Sequence, residues 1–184
     1  MKILETERLL LRTLATSDAA FFLALVNEPS WLANIGDKNI RTLEAASAHI
    51  LSGPMQMQRR LGHSLYLVER KGDGMPLGLC GLIRREALPD TDIGYALAPR
   101  HWGQGYAFEA AAGVVRHARS VLGLRRLFGI TDPGNAASIA LLHKLGMQFV
   151  RRTHLPPAGR DTNVYCLEFG PAEACRTPPH DPTR

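Results

Sequence analysis

The chain has 184 residues, a formal net charge of +5 and a pI near 9.4, with 45% apolar and 21% charged residues. That length suits one domain with its own core, and no apolar run approaches the ~20 residues that cross a bilayer. The N-terminus lacks the features of a signal peptide, and the three scattered cysteines form no C-x-x-C pair. We therefore expect a cytoplasmic protein with reduced thiols, no metal site and no membrane partner. The positive charge favours anionic partners such as a nucleotide phosphate or nucleic acid.

The first half of the chain is predicted to run strand, helix, helix, strand, strand. In this order, the elements are Arg8–Thr13, a helix after Thr16-Ser17-Asp18, a helix from Thr42 through Leu51, His63–Glu69 and Pro76–Ile83. Proline ends helices, so we expect the first helix to stop at Pro29 and the second to break at Gly53-Pro54. The sequence Lys71–Gly74 is a turn signal, which predicts that the two strands around it form a hairpin.

The second half alternates strands and helices before two late strands. In this order, the elements are Thr91–Ala98, a helix over Gly105–Leu122, Arg125–Thr131, a helix over Ala136–Leu145, Met147–His154 and Thr162–Phe169. Early hairpin strands followed by strand–helix–strand units predict one α/β domain over residues 1–170, with a mixed, partly antiparallel sheet flanked by helices. The last segment, Pro171–Arg184, has four prolines and little that packs, so it is predicted to be a disordered tail.

The segment from Ile93 to Ala110 carries the clearest chemical signal. A strand enters a loop with two glycines, and the loop opens directly into a helix, whose first N–H groups lack partners and carry a partial positive charge. Gly103 and Gly105 let an anion approach the main chain, and Arg100 adds a cation at the rim. The segment therefore predicts an anion site made of backbone. It is neither a P-loop nor a dinucleotide fingerprint, and the glycines alone are equally typical of a tight turn.

Four segments resemble one enzyme family. Arg100–Ala107 resembles the R/Q-x-x-G-x-G/A signature of the GNAT acetyltransferases, in the form found in the subgroup with ribosomal-protein alanine N-acetyltransferases. Glu5–Arg12 is similar to the opening strand of that subgroup. Asn135–Met147 is similar to its Asn-x-x-Ser…Leu-x-Lys-Leu-Gly-Phe element, with Met147 replacing the usual aromatic residue. Ile35–Thr42 also resembles a loop found there. The resemblance covers residues 5–169 and implies the single-domain GNAT fold.

The resemblance implies acetyl-CoA as co-substrate, with its pyrophosphate on the loop and its pantetheine along the strand that matches Tyr95–Ala98. The residues carried over as cofactor-binding are Leu97, Arg100, Gly103, Gln104, Gly105, Tyr106, Ala107, Asn135 and Ser138. Tyr106 and Ala107 are equally typical of helix packing, and Asn135 is equally typical of a helix N-cap. Lys144 has the reach to contact the 3′-phosphate, but a solvated lysine also fits.

The implied reaction is direct attack of a neutral amine on the thioester, which needs a group that takes the amine proton. Ser138 matches a serine suggested to protonate the departing thiolate, and a hydrogen bond from it would stabilise that charge. A serine in the first helical turn with no chemical role is the alternative. Asp92 is the candidate base, because its strand enters the coenzyme loop and several family members place a glutamate there. Solvent is a further candidate, and the rival side chains are Glu69, Glu86 and His154.

The resemblance also places the acceptor pocket between the early helices and the late strands. Its candidate parts are Phe22, Trp31, Asn34, Ile35, Asp37 and the Leu155–Asp161 loop, of which Trp31, Asn34 and Asp37 are the predicted substrate residues. Trp31 equally suits the core, and Asp37 equally suits an ordinary surface acid. The expected acceptor is a small-molecule amine or a protein N-terminal amine, and the chain is expected to be a monomer or homodimer.

Other functions stay open from the sequence. A non-catalytic acyl-CoA sensor would keep the anion site without a working acceptor site. Covalent catalysis through Cys80 would need a reactive thiol, but an apolar strand is typical of an inert one. Nucleic-acid binding has only the charge and three arginine pairs in its favour, and no nucleic-acid motif is present, so nucleic acid is not expected as a partner.

Overall fold

The computed structural model describes residues 1–155 and 160–170. The described strands are β1 Lys2–Glu5, β2 Leu9–Thr13, β3 Leu65–Arg70, β4 Pro76–Ile83, β5 Asp92–Leu97, β6 Arg126–Thr131, β7 Gln148–Leu155 and β8 Arg160–Glu168. The described α-helices are α1 Ala19–Val26, α2 Pro29–Asn34, α3 Leu43–Ile50, α4 Gln56–Leu61, α5 Tyr106–Ser120 and α6 Ala136–Lys144. The predicted tail, 171–184, and the centre of the 155–161 loop lie outside the described residues.

The eight described strands form one mixed sheet in the order β1-β2-β3-β4-β5-β6-β8-β7. All neighbours are antiparallel except β5 and β6, which are parallel and share only the pairs Asp92–Phe128 and Ile93–Gly129. Beyond them β5 stays paired with β4 as far as Leu97, and β6 stays paired with β8 as far as Thr131. The two strands therefore separate, and the gap that results is called the β5–β6 opening below.

Helices cover both faces of the sheet, which alternate along each strand with period two. One core joins α5 and α6 to side chains such as Tyr66 and Leu82, and the other joins α1, α2 and α3 to Leu67 and Leu79. The α5 side presents a buried row of small and branched residues, which lets the helix lie close to the strands. Its buried members are Tyr106, Ala110, Ala111, Gly113, Val114 and Ala118. This packing fixes the direction of the N-terminus of α5.

The structure confirms the predicted fold class and most of the elements, and it corrects two predictions about proline. Pro29 does not simply end the first helix: α1 already stops at Val26, and Pro29 is the first residue of α2. That position suits proline, because the first N–H of a helix has no partner in any case.

The predicted break at Gly53-Pro54 is also wrong. Both residues lie in a π-helical turn, Leu51–Met55, that carries α3 into α4. A π turn shifts the hydrogen-bond pattern by one residue, which accommodates a proline that has no N–H to donate. By contrast, the predicted start of α3 is confirmed, because the Thr42 hydroxyl accepts the Ala45 N–H at 3.1 Å.

The predicted first strand, Arg8–Thr13, is confirmed as β2, but it is not the first strand of the sheet. Residues Lys2–Glu5 form β1, which pairs with β2 as an antiparallel hairpin. Within the described ranges, no helix is both long and apolar enough to cross a membrane.

Candidate active site

The head of α5 presents a run of unpaired backbone donors. In the described part of the chain, the N–H groups from Gly103 to Phe108 donate to no protein acceptor. Gly105 is the N-cap at φ +80° and supplies no capping side chain, and Gly103 lies at φ +71°. Both conformations are left-handed and suit glycine. A Cβ placed on Gly103 would meet no atom within 4 Å, so this stretch of backbone is open to an anion.

The other predicted loop residues surround these amides. The Gln104 side chain donates back to the Arg100 carbonyl at 3.2 Å, and the Arg100 Nε donates to His101 Nε2 at 3.1 Å. Tyr106 is buried, and Ala107 is half-buried against the core of α5. The packing alternative therefore holds for the side chains of Tyr106 and Ala107, while their N–H groups still belong to the open run.

The β5–β6 opening lies directly before this loop. The Phe128 N–H donates to the Thr91 carbonyl at 3.0 Å, so odd-numbered residues of β5 turn their main-chain groups toward β6. Because pairing stops at Ile93, the main-chain groups of Tyr95 and Leu97 face the opening. The Trp102 indole N–H occupies one of them, the Leu97 carbonyl, at 2.8 Å. The Leu97 N–H also faces the opening, and this is the group through which the predicted role of Leu97 would operate.

The head of α6 closes the other side of the opening. The Asn135 Oδ1 accepts the Ser138 N–H at 3.0 Å, so Asn135 is the N-cap of α6, the role predicted from the sequence as the alternative to coenzyme contact. The Ser138 hydroxyl lies 2.9 Å from the Tyr95 hydroxyl of β5. Burial raises the pKa of Tyr95 to about 12, although the bond to Ser138 lowers it slightly. Tyr95 therefore keeps its proton at neutral pH. Sequence reasoning missed this tyrosine, because only the fold brings it to Ser138.

Asp92 lies on the same strand but on the opposite face of the sheet. Ile93, Tyr95 and Leu97 pack with α5 and α6, whereas Ala96 packs with the α1–α3 core, so alternation places Asp92 on the α1–α3 side. Its side chain is 1% exposed.

The Asp92 carboxylate has one cationic partner. Both of its oxygens accept from the Arg85 Nε, at 3.0 and 3.1 Å, and the Arg85 side chain is 39% exposed. Burial raises the pKa of Asp92 to about 6, and the Arg85 cation opposes the shift. A carboxylate with such a pKa both holds and releases a proton near neutral pH, which suits a general base.

The rival bases lie in other surroundings. Glu69 pairs with Arg12 at 2.8 Å, and His154, which is well exposed, pairs with Asp161 at 3.0 Å. Cys80 is fully buried, and burial raises its thiol pKa far above the usual value. A thiol in that state is a poor nucleophile. Among these candidates, Asp92 is therefore the carboxylate that combines burial with a raised pKa.

The predicted acceptor residues do not form one polar cluster. Trp31 is 7% exposed and belongs to the α1–α3 core, and its indole nitrogen is buried without a partner among the described residues. Asn34 is exposed and donates to the Ser30 carbonyl at 2.9 Å. Asp37 is exposed and pairs with Arg41 at 2.5 Å, so an ammonium group would have to compete with that arginine.

Lys144, whose two predicted surroundings are the 3′-phosphate of the coenzyme and solvent, has its Nζ 4.3 Å from the centre of the Phe108 ring.

Comparisons with known proteins agree on one family. Residues 8–148 match the family described as Acetyltransferase (GNAT) domain. The "Uncharacterized N-acetyltransferase YoaA" of Bacillus subtilis strain 168 is 32% identical over 173 residues, which cover 90% of this chain and 96% of that protein. An acetyltransferase from Agrobacterium tumefaciens strain C58 is 25% identical, with a TM-score of 0.76 over 91% of this chain and 94% of the other.

A further solved structure shows the same fold. It is a RimL ribosomal L7/L12 α-N-protein acetyltransferase in complex with coenzyme A, at 19% identity and a TM-score of 0.79, covering 91% of this chain and 98% of the other. The unpaired amides at the head of α5, the opening beside them and the family match over three quarters of the sequence point the same way. The chain belongs to the GNAT family and is an N-acetyltransferase, a family whose members use acetyl-CoA.

Proposed function

We propose that this chain binds acetyl-CoA with its diphosphate on the loop Arg100–Ala107 and its pantetheine arm along the β5–β6 opening. The acetyl group then passes directly to a primary amine in a ternary complex. One observation carries the proposal: the unpaired N–H groups from Gly103 to Phe108 lie beside the point where β5 leaves β6. The amides attract a diphosphate, and the exposed main chain of β5 can pair with an amide-bearing arm.

The coenzyme supplies an activated acetyl thioester, and the residues of the chain hold it and move protons. The N–H groups of Gly103, Gln104, Gly105, Tyr106 and Ala107 bind the diphosphate, and Arg100 adds charge at the rim. Leu97 contributes main chain to the arm. Asn135 acts mainly by capping α6 and thereby placing Ser138.

Ser138 and Tyr95 form the acid side of the proposed site. As the carbon–sulfur bond breaks, negative charge develops on the departing sulfur, and a hydroxyl donor stabilises it. The Tyr95 and Ser138 hydroxyls lie 2.9 Å apart, and either can be the donor. In the proposed mechanism Tyr95 donates, which leaves the Ser138 proton for the sulfur. Tyr95 thus acts through Ser138 as a positioning residue.

We expect Ser138→Ala to lower kcat by about 10- to 100-fold and Tyr95→Phe to lower it by about 3- to 10-fold, with the KM for acetyl-CoA little changed. The double variant should be no slower than Ser138→Ala, because Tyr95 acts through the serine. Tyr165→Phe removes a neighbouring buried hydroxyl and serves as control. Additive losses in steady-state kinetics would contradict this pairing.

Asp92 is the proposed base, on the side of the sheet opposite to Ser138. The β5–β6 opening joins the two faces, so the coenzyme is proposed to lie toward α5 and α6 and the amine to enter from the α1–α3 side. Asp92 accepts the proton that the amine nitrogen loses on attack. The carbonyl carbon gains a bond to nitrogen and loses its bond to sulfur. Asp92 takes one proton from the amine and releases it to solvent, and the departing thiolate receives one proton from solvent, directly or through Ser138, which regains its own.

The acceptor is proposed to be a small-molecule amine or a protein N-terminal amine, next to Trp31, Asn34 and Asp37. The RimL protein is named as a ribosomal L7/L12 α-N-protein acetyltransferase, so a protein N-terminal amine is a reasonable first acceptor to assay. The cytoplasmic location and the monomeric or homodimeric state stay predictions from the sequence.

Acetyl-CoA should stabilise the folded chain against heat. A ligand at ~100 times its Kd stabilises the protein that binds it by about 2.7 kcal/mol, which for a chain of this size corresponds to a rise in Tm of roughly 5–11 °C. Differential scanning fluorimetry with acetyl-CoA measures the shift, and free acetate and adenosine serve as controls. Thiol release with a panel of amines then separates an enzyme from a sensor, since binding without release on any amine would favour the sensor.

A further inference from the structure

Arg8 connects the coenzyme loop to the first hairpin. It lies just before β2, 101 residues from Glu109 in the first turn of α5. The Arg8 Nε donates to Glu109 Oε2 at 2.6 Å, and the Arg8 N–H donates to Glu109 Oε1 at 2.8 Å. The Thr6 hydroxyl donates to the same Oε1 at 2.6 Å. Glu109 therefore accepts hydrogen bonds from both the backbone and the side chain of Arg8.

The guanidinium of Arg8 then makes two contacts with the loop and lies beside a third residue, Gly105. Its Nη1 donates to the Gln104 carbonyl at 3.1 Å, and its central carbon lies 4.5 Å from the centre of the Tyr106 ring. Its Nη2 lies 3.4 Å from the point where a Cβ would stand on Gly105. The guanidinium is planar and rigid, so its stacking on the Tyr106 ring and its hydrogen bond to Glu109 together fix the orientation of its plane.

The bond to the Gln104 carbonyl has a geometric consequence for the next amide. In a trans peptide, the C=O and the following N–H point in opposite directions. With the Gln104 oxygen held toward Arg8, the Gly105 N–H must point away from Arg8. Without that bond, glycine at 105 would tolerate the flipped peptide as well, since it accepts either sign of φ. A flipped peptide would present an oxygen where the anion site presents a hydrogen.

We propose that Arg8, clamped by Glu109, is a positioning residue that fixes the Gln104–Gly105 peptide so that the Gly105 N–H faces the coenzyme diphosphate. This inference rests on the coenzyme site proposed above. Burial alone would raise the pKa of Glu109, but its bonds to Thr6 and Arg8 lower it, so the clamp stays ionised at neutral pH.

The first test compares coenzyme binding by three variants. Isothermal titration with coenzyme A should show a Kd about tenfold higher for Arg8→Ala, and the KM for acetyl-CoA should rise equally while kcat stays within about twofold. Arg8→Lys should recover only part of the loss, because an ammonium group cannot bind Glu109 and Gln104 in the same fork geometry. Arg116→Ala is the control, because it removes a neighbouring charge from α5, the helix that carries Glu109, without touching the loop. An equal loss in Arg116→Ala would overturn the inference.

A second comparison separates peptide orientation from simple charge compensation. If Arg8 only cancelled the negative charge of Glu109, then the double variant Arg8→Ala/Glu109→Gln would bind coenzyme A as tightly as wild type. We expect the double variant to bind as weakly as Arg8→Ala, because the Gln104 carbonyl still lacks its partner. Full recovery would overturn the positioning role.

A third measurement works without coenzyme. The amide resonance of Gly105 in ¹⁵N-labelled protein should be single in the wild type and should broaden or split in Arg8→Ala, as the peptide samples both orientations. An unchanged resonance would overturn the inference. Failure of wild-type protein to bind coenzyme A would instead overturn the proposed function, so the two failures are distinguishable.

Discussion

Replacing Gly105 by glutamate should raise the Kd for coenzyme A by about 100-fold or more while the chain still folds. The new side chain would begin at the head of α5, where a Cβ would lie 3.4 Å from the Arg8 Nη2. Its charge would compete with Glu109 for Arg8 and would repel a diphosphate from the positive end of the helix. Gly105 has φ +80°, so part of any stability loss comes from a backbone conformation that costs a non-glycine residue roughly 1–2 kcal/mol. Isothermal titration measures the binding, and circular dichroism checks the fold.

A matched control is available at the other end of the same helix. Gly123 also has positive φ, +63°, and a Cβ there would meet no atom within 4 Å. Gly123→Glu therefore brings the same charge and similar backbone strain, far from the loop. We expect it to bind coenzyme A as wild type does. Wild-type affinity in Gly105→Glu, or an equal loss in both variants, would remove the coenzyme from the head of α5.

Replacing Asp92 by asparagine should lower kcat/KM by about 10²- to 10⁴-fold, the usual contribution of a positioned base. The pH profile gives a sharper readout. With a pKa of about 6, the carboxylate loses its proton-accepting form as the pH falls below 6, so wild-type kcat/KM should decline there. The asparagine variant should be slow at every pH and should lack this additional decline, keeping only the decline that protonation of the amine itself produces.

The effect of Asp92 on stability has the opposite pH dependence. The pKa of Asp92 is raised in the folded chain, from an ordinary value of 3.8 to about 6. The folded state therefore binds this proton more tightly, and the stability it contributes is present at low pH and is lost as the pH rises through 6. Removing the charge should thus cost little at neutral pH, because the partner Arg85 is 39% exposed and solvent can hydrate it.

Asp90→Asn is the control for Asp92→Asn. Asp90 lies two residues earlier, pairs with Arg126 at 3.2 Å and is partly exposed. The same change of charge there should leave the pH profile intact. If the decline below pH 6 persisted in Asp92→Asn, the base would be another group, with the exposed Glu86 or a solvent path as the next candidates.

The sequence predicted the strands and the loop before α5 well, because both have local causes. Alternation and apolar runs predicted every described strand but β1, and two glycines before a helical pattern predicted the loop whose backbone amides are unpaired. The predictions failed where proline chemistry depended on context. Pro29 was read as a stop and is a start, and Pro54 was read as a break and lies inside a π turn. In both places the missing N–H is accommodated by helix geometry, at Pro29 because it is the first residue of a helix and at Pro54 because it lies in a π turn.

The contacts inside the site were less predictable. Tyr95 stands in the middle of an apolar strand pattern, and nothing in the spacing shows that it reaches Ser138, 43 residues later. Arg8 belongs to a segment that resembles the family, and Glu109 lies two residues after another such segment, but their pairing over 101 residues requires the fold. The acceptor residues were predicted by analogy, and the structure shows Trp31 in a core and Asp37 already paired.

The separation of β5 from β6 has a consequence for aggregation as well as for catalysis. Unpaired strand edges recruit foreign strands, and proteins usually blunt such edges at the rim of a sheet. Here the exposed edge is internal, because β5 stays paired with β4 and β6 stays paired with β8 on either side of the β5–β6 opening. β5 and β6 share only two residue pairs. A bound pantetheine arm that pairs with the main chain of Tyr95 and Leu97 would therefore also join the two halves of the sheet at this point.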